Sequence, residues 1–247
     1  MNELGKDFKK FAMSEGISSS NLHYYDKIVE NSVTPYILEE RAMNVTQMDV
    51  FSRLMRDRIL FIVGPVDDRM SSIVCAQLIF LDNSETKDIN FYLDTPGGSV
   101  KSGLTIVDTM NYVKSDISTL NIGMCASMGS VLVSSGTKGK RSSLINARVM
   151  IHQVSSGNSG VIEDTRISQM EAEKYNYILF KMLAENCGKT FDETLESARR
   201  DKWFNSDEAL SFGLVDEIVG VDRLTSMSKR LEGFEEYYNK EVLKKSL

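Results

Sequence analysis

Short apolar runs alternate along the middle of the chain with apolar residues at helical spacing. Ile59 to Val63 is an unbroken apolar run and predicts a buried strand. Met70, Ile73, Val74, Leu78 and Leu81 then recur at the spacing of a helix with one apolar face. Ile89 to Leu93 predicts another strand, which runs into Asp94-Thr95-Pro96-Gly97-Gly98, and Val100, Leu104, Val107, Met110 and Val113 predict another helix. Ile117 to Ile122 predicts a strand, a turn follows, a short helix runs from about Ser127 to near Gly136, and Val149 to His152 closes a further strand. Upstream, Val50, Phe51 and Leu54 place a helix over 46–57. Downstream, Ile167, Met170, Tyr175, Ile178 and Met182 mark a long helix stopped by Gly188. Thr190 and Glu193 have the spacing of a capping box, Ser206 reads as the cap of a short helix stopped by Gly213, and Leu214 to Val219 reads as a last strand. This strand–helix alternation predicts an α/β fold with a mainly parallel sheet and crossover helices. The ends differ. Residues 1–33 are polar and weakly periodic and read as a flexible extension or removable leader, 34–44 as a mixed, mobile segment, and 221–247 as a charged tail. One domain over 45–220 with two appendages is the expectation.

Composition adds exclusions. With 42% hydrophobic and 26% charged residues the chain has the makings of an ordinary globular core. A net charge of −6 argues against nucleic-acid binding, which needs a basic face to neutralise phosphates. Cys75, Cys125 and Cys187 are an odd set without paired spacing, so no disulfide framework is expected and a reducing compartment suits them. The absence of CxxC, HExxH and His/Cys clusters predicts no metal site. No apolar run approaches the ~20 residues that cross a bilayer. The first sixteen residues lack the apolar core of a signal peptide and carry Glu3, Asp7 and Glu15, which speaks against a transit peptide; a cytoplasmic protein is expected.

Candidate chemistry gathers at a few positions. Of the 2 histidines, His23 lies in the polar N-terminal stretch, whereas His152 ends the apolar run Val-Met-Ile-His. Taken alone, such a histidine is more often a satisfied core or edge residue than a catalyst. Ser127, in Gly123-Met-Cys-Ala-Ser-Met-Gly129, follows a strand and opens a helix, where unbonded N–H groups and the helix dipole favour developing negative charge. Serine is a weak nucleophile until a base takes its proton, so a partner base is needed; a plain helix cap is the other reading. Thr95-Pro96-Gly97-Gly98-Ser99 permits positive φ and close backbone approach, and a plain turn is its simpler reading. Neither it nor Gly136-Thr-Lys-Gly-Lys140-Arg has the Lys-Ser/Thr of a phosphate-binding loop. An α/β-hydrolase is set aside, because its elbow requires Gly where Cys125 stands and its order is Ser, acid, His.

At these residues the sequence resembles the ClpP family, the proteolytic subunits of Clp proteases, from roughly Pro35 to Val219. The matches are Phe51-Ser-Arg-Leu-Met-Arg-Asp-Arg58, Thr95-Pro-Gly-Gly98, Ala126-Ser-Met-Gly129, Arg148-Val-Met-Ile-His-Gln153, Arg200-Asp201, Glu208-Ala209 and Phe212-Gly-Leu-Val-Asp216. The spacings Ser127–His152 (25) and His152–Asp201 (49) resemble the family's triad. The resemblance implies Ser127 as nucleophile, His152 as base and Asp201 as its orienting acid. It implies an oxyanion hole from the Gly98 and Met128 N–H groups and substrate contacts from Gly97 and Gln153. It further implies a crotonase-like α/β fold with a handle over about 153–188 and axial loops near 34–44. In this family two seven-membered rings stack face to face. An AAA+ unfoldase such as ClpX, ClpA or ClpC feeds unfolded polypeptide inward and uses the ATP, so no cofactor is expected in this chain. Tyr92, Tyr112, Leu120 and Ile122 match the family's docking pocket for that unfoldase.

The chain departs from the family pattern in places. Gln153-Val-Ser-Ser-Gly157 stands where Gln-Pro-x-Gly-Gly is usual, Arg199 replaces an acidic residue, Asn90 replaces a docking-pocket aromatic, and Cys125-Ala126 precedes the serine. A second reading is therefore a specialised paralogue that serves as a structural subunit in a mixed ring with a second ClpP-like chain. A third, a crotonase-type acyl-CoA enzyme, would share the fold but needs no Ser-His-Asp set.

Overall fold

In a computed structural model, which describes residues 36–41, 44–157, 159–220 and 226–242, the apolar runs become strands of one seven-stranded sheet. The chain divides into two units, Met1–Leu54 and Met55–Leu247.

In the first unit, β1 (Tyr36–Arg41) pairs antiparallel with β2 (Asn44–Asp49), with Arg41 opposite Asn44. The helix expected over 46–57 starts later. The chain stays extended to Asp49, and α1 spans Val50–Arg56. Pairing with β1 keeps Val45 and Thr46 extended, opposite Glu40 and Glu39, and the Asp49 carboxylate accepts the Ser52 N–H at 3.0 Å, the bond of a helix cap. Residues 1–35, including His23 and the expected leader, lie outside the described residues.

In the second unit β3 (Ile59–Val63), β4 (Ile89–Thr95), β5 (Ile117–Ala126), β6 (Arg141–Leu144) and β9 (Glu217–Val219) are parallel neighbours in that order. The crossovers include α2 (Asp68–Ser84), α3 (Val100–Tyr112) and α4 (Met128–Ser134). Beyond them lie α5 (Ile162–Cys187), α6 (Phe191–Ser197) and α7 (Ser206–Phe212), then α8 (Met227–Arg230) and α9 (Phe234–Tyr237) in the tail. Period-two alternation buries Ile89, Phe91, Leu93 and Thr95 of β4 and Ile117, Thr119 and Asn121 of β5 on one face of the sheet. The fold is thus the α/β architecture with a mainly parallel sheet that the alternation predicts.

Several local expectations hold. Gly188 and Gly213 end their helices in the left-handed conformation, and Thr190 with Glu193 forms a complete capping box. Others shift. Asn205, not Ser206, caps α7, in a capping box with Glu208, while the Ser206 hydroxyl donates to the Ile145 carbonyl at 2.8 Å. On α5 the side that packs inward is Leu179, Phe180, Leu183, Ala184 and Cys187, whereas Ile167, Met170 and Ile178 are exposed. The first half of α5 therefore stands largely clear of the rest of its unit, as a protruding handle does. Two short strands, β6 and β8 (Lys202–Phe204), carry no periodic signal and were not expected.

One polar element ties this core together. Arg141 is 1% exposed, and its guanidinium donates to both Asp216 oxygens and to the carbonyls of Ser134 and Asn186. It thereby joins the ends of α4 and α5 to the chain entering β9. Burial alone would push the Asp216 carboxyl up. The Arg141 bonds and charge, with N–H bonds from Gly139 and Arg141, win and hold it down at about 2.

Candidate active site

The site forms where β5 changes partner. Its first half pairs with β6, and its last residues pair with β7 (Arg148–Ile151), with Ala126 beside Met150. The register with β4 slips between Leu93 and Thr95, and Asp94 fills the irregularity by accepting the Met124 N–H at 2.9 Å. The Ser127 N–H then donates to the Met150 carbonyl at 2.9 Å, which sets the serine beside the end of β7. Strand β8 runs antiparallel to β7, with Met150 opposite Trp203 and Ile151 opposite Lys202. Continued by one residue, that register puts His152 opposite Asp201. Two strand registers therefore converge three residues that lie far apart in the chain.

The distances follow. His152 Nε2 is 2.8 Å from Ser127 Oγ, and His152 Nδ1 is 3.4 Å from Asp201 Oδ1. The imidazole is three-quarters covered, whereas Asp201 is 66% exposed. Ser127 has φ 55° and ψ −122°, a conformation that non-glycine residues avoid. Such strain costs on the order of 1–3 kcal/mol. A single buried side chain such as Leu132 or Met128 of α4 offsets about as much. Ser127 makes no capping bond to α4, so its hydroxyl stays with His152 instead of closing the helix end. The plain-cap reading of Ser127 is thereby excluded.

The glycine pair completes the turn. Gly97 (φ 87°) is buried so tightly against the Ser127 turn that a Cβ there would meet the Ala126 carbonyl and the Met128 N–H. Gly98 (φ 152°) bridges to Val66, whose N–H donates to the Gly97 carbonyl and whose carbonyl accepts the Ser99 N–H. Those two bonds use the groups flanking Gly98 and leave its own N–H on the other side of the strand. The Met128 N–H is the first of α4 and has no intrahelical acceptor. We expect Gly97→Ala to lower peptide cleavage at least tenfold, because a side chain at that φ costs roughly 1–2 kcal/mol before any clash with the nucleophile's backbone is counted. The second-order rate of Ser127 modification by a fluorophosphonate measures the loss directly.

Gly98, Ser127, Met128, His152 and Gln153 line one cavity of about 160 Å³, walled otherwise by Val100, Val131, Leu179, Phe180 and Leu183. An apolar pocket of side-chain size thus opens beside the serine hydroxyl. Gly97 stands behind the turn and does not line it. Sequence reasoning missed Asn176 and Val154, which do line it, and Ser130, whose hydroxyl donates to the Ser127 carbonyl at 2.6 Å. The available signal was Asn176 itself, a polar residue heading the inward stripe 176, 179, 180, 183 of α5. Cys125, two residues before the serine, is fully buried, and burial followed by the Asp94 charge pushes its thiol far up, so it offers no thiolate. Among the described residues no group of His, Cys, Asp and Glu could hold a metal ion, and no helix is long and apolar enough to cross a membrane.

The residues matched to a docking pocket sit elsewhere. Tyr92 on β4 and Leu120 on β5 are register partners on the half-covered face of the sheet, with Ile122 on the same face. The Tyr92 ring stacks on Phe61 at 5.2 Å, and Tyr112 at the end of α3 is 80% exposed.

Comparison with known proteins adds the following. Residues 41–222 match the family model described as Clp protease. Three similar proteins each bear the name ATP-dependent Clp protease proteolytic subunit. The one from Bacteroides fragilis is 44% identical over 86% of this chain and 98% of its own. That from Porphyromonas gingivalis is 42% identical over 88% and 99%. That from Streptococcus pyogenes is 47% identical over 77% and 98%.

Proposed function

The chain belongs to the Clp protease family, and from that premise we propose how its residues divide the work of a serine peptidase. The protein is a serine protease of the Clp proteolytic-subunit type. The observation that carries the assignment of roles is the 2.8 Å contact between Ser127 Oγ and His152 Nε2 on a strained turn at a helix N-terminus.

Ser127 Oγ attacks the carbonyl carbon of the scissile peptide, and His152 Nε2 takes the hydroxyl proton as the bond forms. The carbonyl oxygen becomes an oxyanion, and the Gly98 and Met128 N–H groups donate to it. The tetrahedral intermediate collapses, the C–N bond breaks, and His152 returns the proton to the leaving amine. Water, activated by the same imidazole, then cleaves the Ser127 ester and releases the carboxylic acid. Asp201 keeps Nδ1 protonated and faces the imidazolium that forms. Gln153, which lines the cavity, holds the peptide across it. Reaction with a fluorophosphonate, followed by intact-mass spectrometry, tests these roles. One adduct per chain at Ser127 is expected in the wild type, and His152→Ala should slow its formation at least a hundredfold. Adduct formation at equal rates in both would remove His152 from the mechanism.

The family works with Clp ATPases and assembles with itself. The fuller reading is two stacked heptameric rings that take unfolded polypeptide from an AAA+ unfoldase in the cytoplasm. The exposed Ile167, Met170, Tyr177 and Ile178 of the handle support a self-association surface, and the half-covered face bearing Tyr92, Leu120 and Ile122 supports an unfoldase-docking surface. Arg199 pairs with Glu196 one turn earlier on its own chain, which limits repulsion of Arg200. A native mass near fourteen subunits supports this assembly. A particle that forms only with a second ClpP-like chain would replace it with the mixed-ring reading.

A further inference from the structure

Among the described residues, the segment after His152 makes few hydrogen bonds, and its Val154 side chain packs against the core. Residues 153–157 belong to no helix or strand. Among the described residues their one hydrogen bond runs from the Val154 N–H to Asn176 Oδ1, at 3.0 Å. Asn176 sits on α5, one turn before Leu179 and Phe180, the residues that anchor this helix in the core. Val154, Ser155 and Asn176 line the same cavity as Ser127 and His152. His152 itself follows directly on a strand paired on both sides, so its place depends on β5 and β8. The wall beyond it depends on that hydrogen bond and on the Val154 side chain, which packs against the core.

We propose that Asn176 is a positioning residue for substrate: by accepting the Val154 N–H, its Oδ1 holds residues 153–157 as the wall of the cavity beside Ser127. The inference rests on the peptidase reading above and deepens it. A half-buried N–H without its acceptor must find another partner, and in a segment with no other hydrogen bond among the described residues the cheapest route is to move. Movement there spoils the seat of the peptide without moving the serine or the histidine. Asn176 therefore acts on substrate binding, not on the reacting groups.

The test uses the full-length assembled protein and a fluorogenic peptide at pH 8. Asn176→Ala is expected to raise KM about five- to tenfold, the scale of one ordinary hydrogen bond, while kcat changes less than twofold. The rate of Ser127 labelling by a small fluorophosphonate, which needs no groove, stays within twofold of the wild type. Asn176→Asp, which keeps an acceptor in place, restores KM. Val154→Pro removes the donor from the other side. Because proline is the family's usual residue there and the change also alters packing, the pair is decisive: Asn176→Ala made in the Val154→Pro background should change KM less than twofold. Unchanged KM in Asn176→Ala, equal impairment in Asn176→Asp, or additive effects in the pair would overturn the proposal. Should Asn176→Ala fail to assemble, an unchanged KM in Asn176→Leu, which keeps the volume and removes the acceptor, overturns it alone. A wild-type protein without Ser127-dependent cleavage would instead overturn the peptidase roles, so the two failures are distinguishable.

Discussion

Ser127→Ala is expected to abolish cleavage of a fluorogenic peptide while leaving the protein folded and its particle mass unchanged. Loss of a triad nucleophile is a change on the order of a million-fold in kcat. Any residual rate should therefore fall below detection. The fold is expected to survive because Ser127 Oγ makes its contact with His152 and caps nothing. Removal of the hydroxyl strands no buried donor, and alanine in place of serine leaves the packing of the turn as it was. Peptidase activity that persists in this variant would require another nucleophile. Cys125 is the nearest thiol in sequence, and its burial without a base excludes it. The same variant addresses the structural-subunit reading. A wild-type chain as inactive as Ser127→Ala, which forms a well-formed particle only with a second ClpP-like chain, would establish that reading.

Asp216→Ala carries the largest expected loss of stability. It leaves the Arg141 guanidinium, 1% exposed, with two carbonyl acceptors and no counter-charge. Breaking a buried pair from one side costs about 3–5 kcal/mol, because the remaining charge is uncompensated. Urea unfolding followed by the fluorescence of Trp203, the sole tryptophan, measures the difference. Replacing both partners with apolar residues of similar size should recover much of it. The pH dependence has a definite sign. The folded-state value of Asp216 is about 2, below the ordinary 3.8, so its stabilisation is complete above about pH 4 and is lost as pH falls towards 2. The gap between wild type and Asp216→Ala should therefore narrow over that window and stay constant above it. A gap that widens on acidification would contradict the assignment.

Local chemistry was readable from the chain, and pairing was not. The strand cores at 59–63, 89–93 and 117–122 and the helices after them announce themselves, because an apolar run or stripe is a property of neighbouring residues. So are the αL stop at Gly188 and the capping box of Thr190 and Glu193. The misreadings have one source. Thr46 belongs to a strand because it pairs with Glu39, and β6, with the sequence Arg-Ser-Ser-Leu, is a strand because it fills the place between β5 and β9. Ser206 yields the cap to Asn205 because its hydroxyl is drawn to Ile145, which is distant in sequence. The exposed stripe of α5 and its buried stripe are both apolar, so periodicity finds the helix without saying which side faces the core.

The candidate triad divides in the same way. Residue types, their order and the glycines at 97 and 98 were determined by the sequence, since a weak nucleophile at a helix start, a single well-placed histidine and a flexible loop are all local requirements. That Ser127, His152 and Asp201 meet was decided only by tertiary structure, through β5 lying beside β7 and β7 running against β8. The buried Arg141–Asp216 pair and the Asn176 latch are decisions of the same kind. Each joins residues 75 or 22 positions apart, and no local pattern encodes a contact that exists only once separate segments have packed.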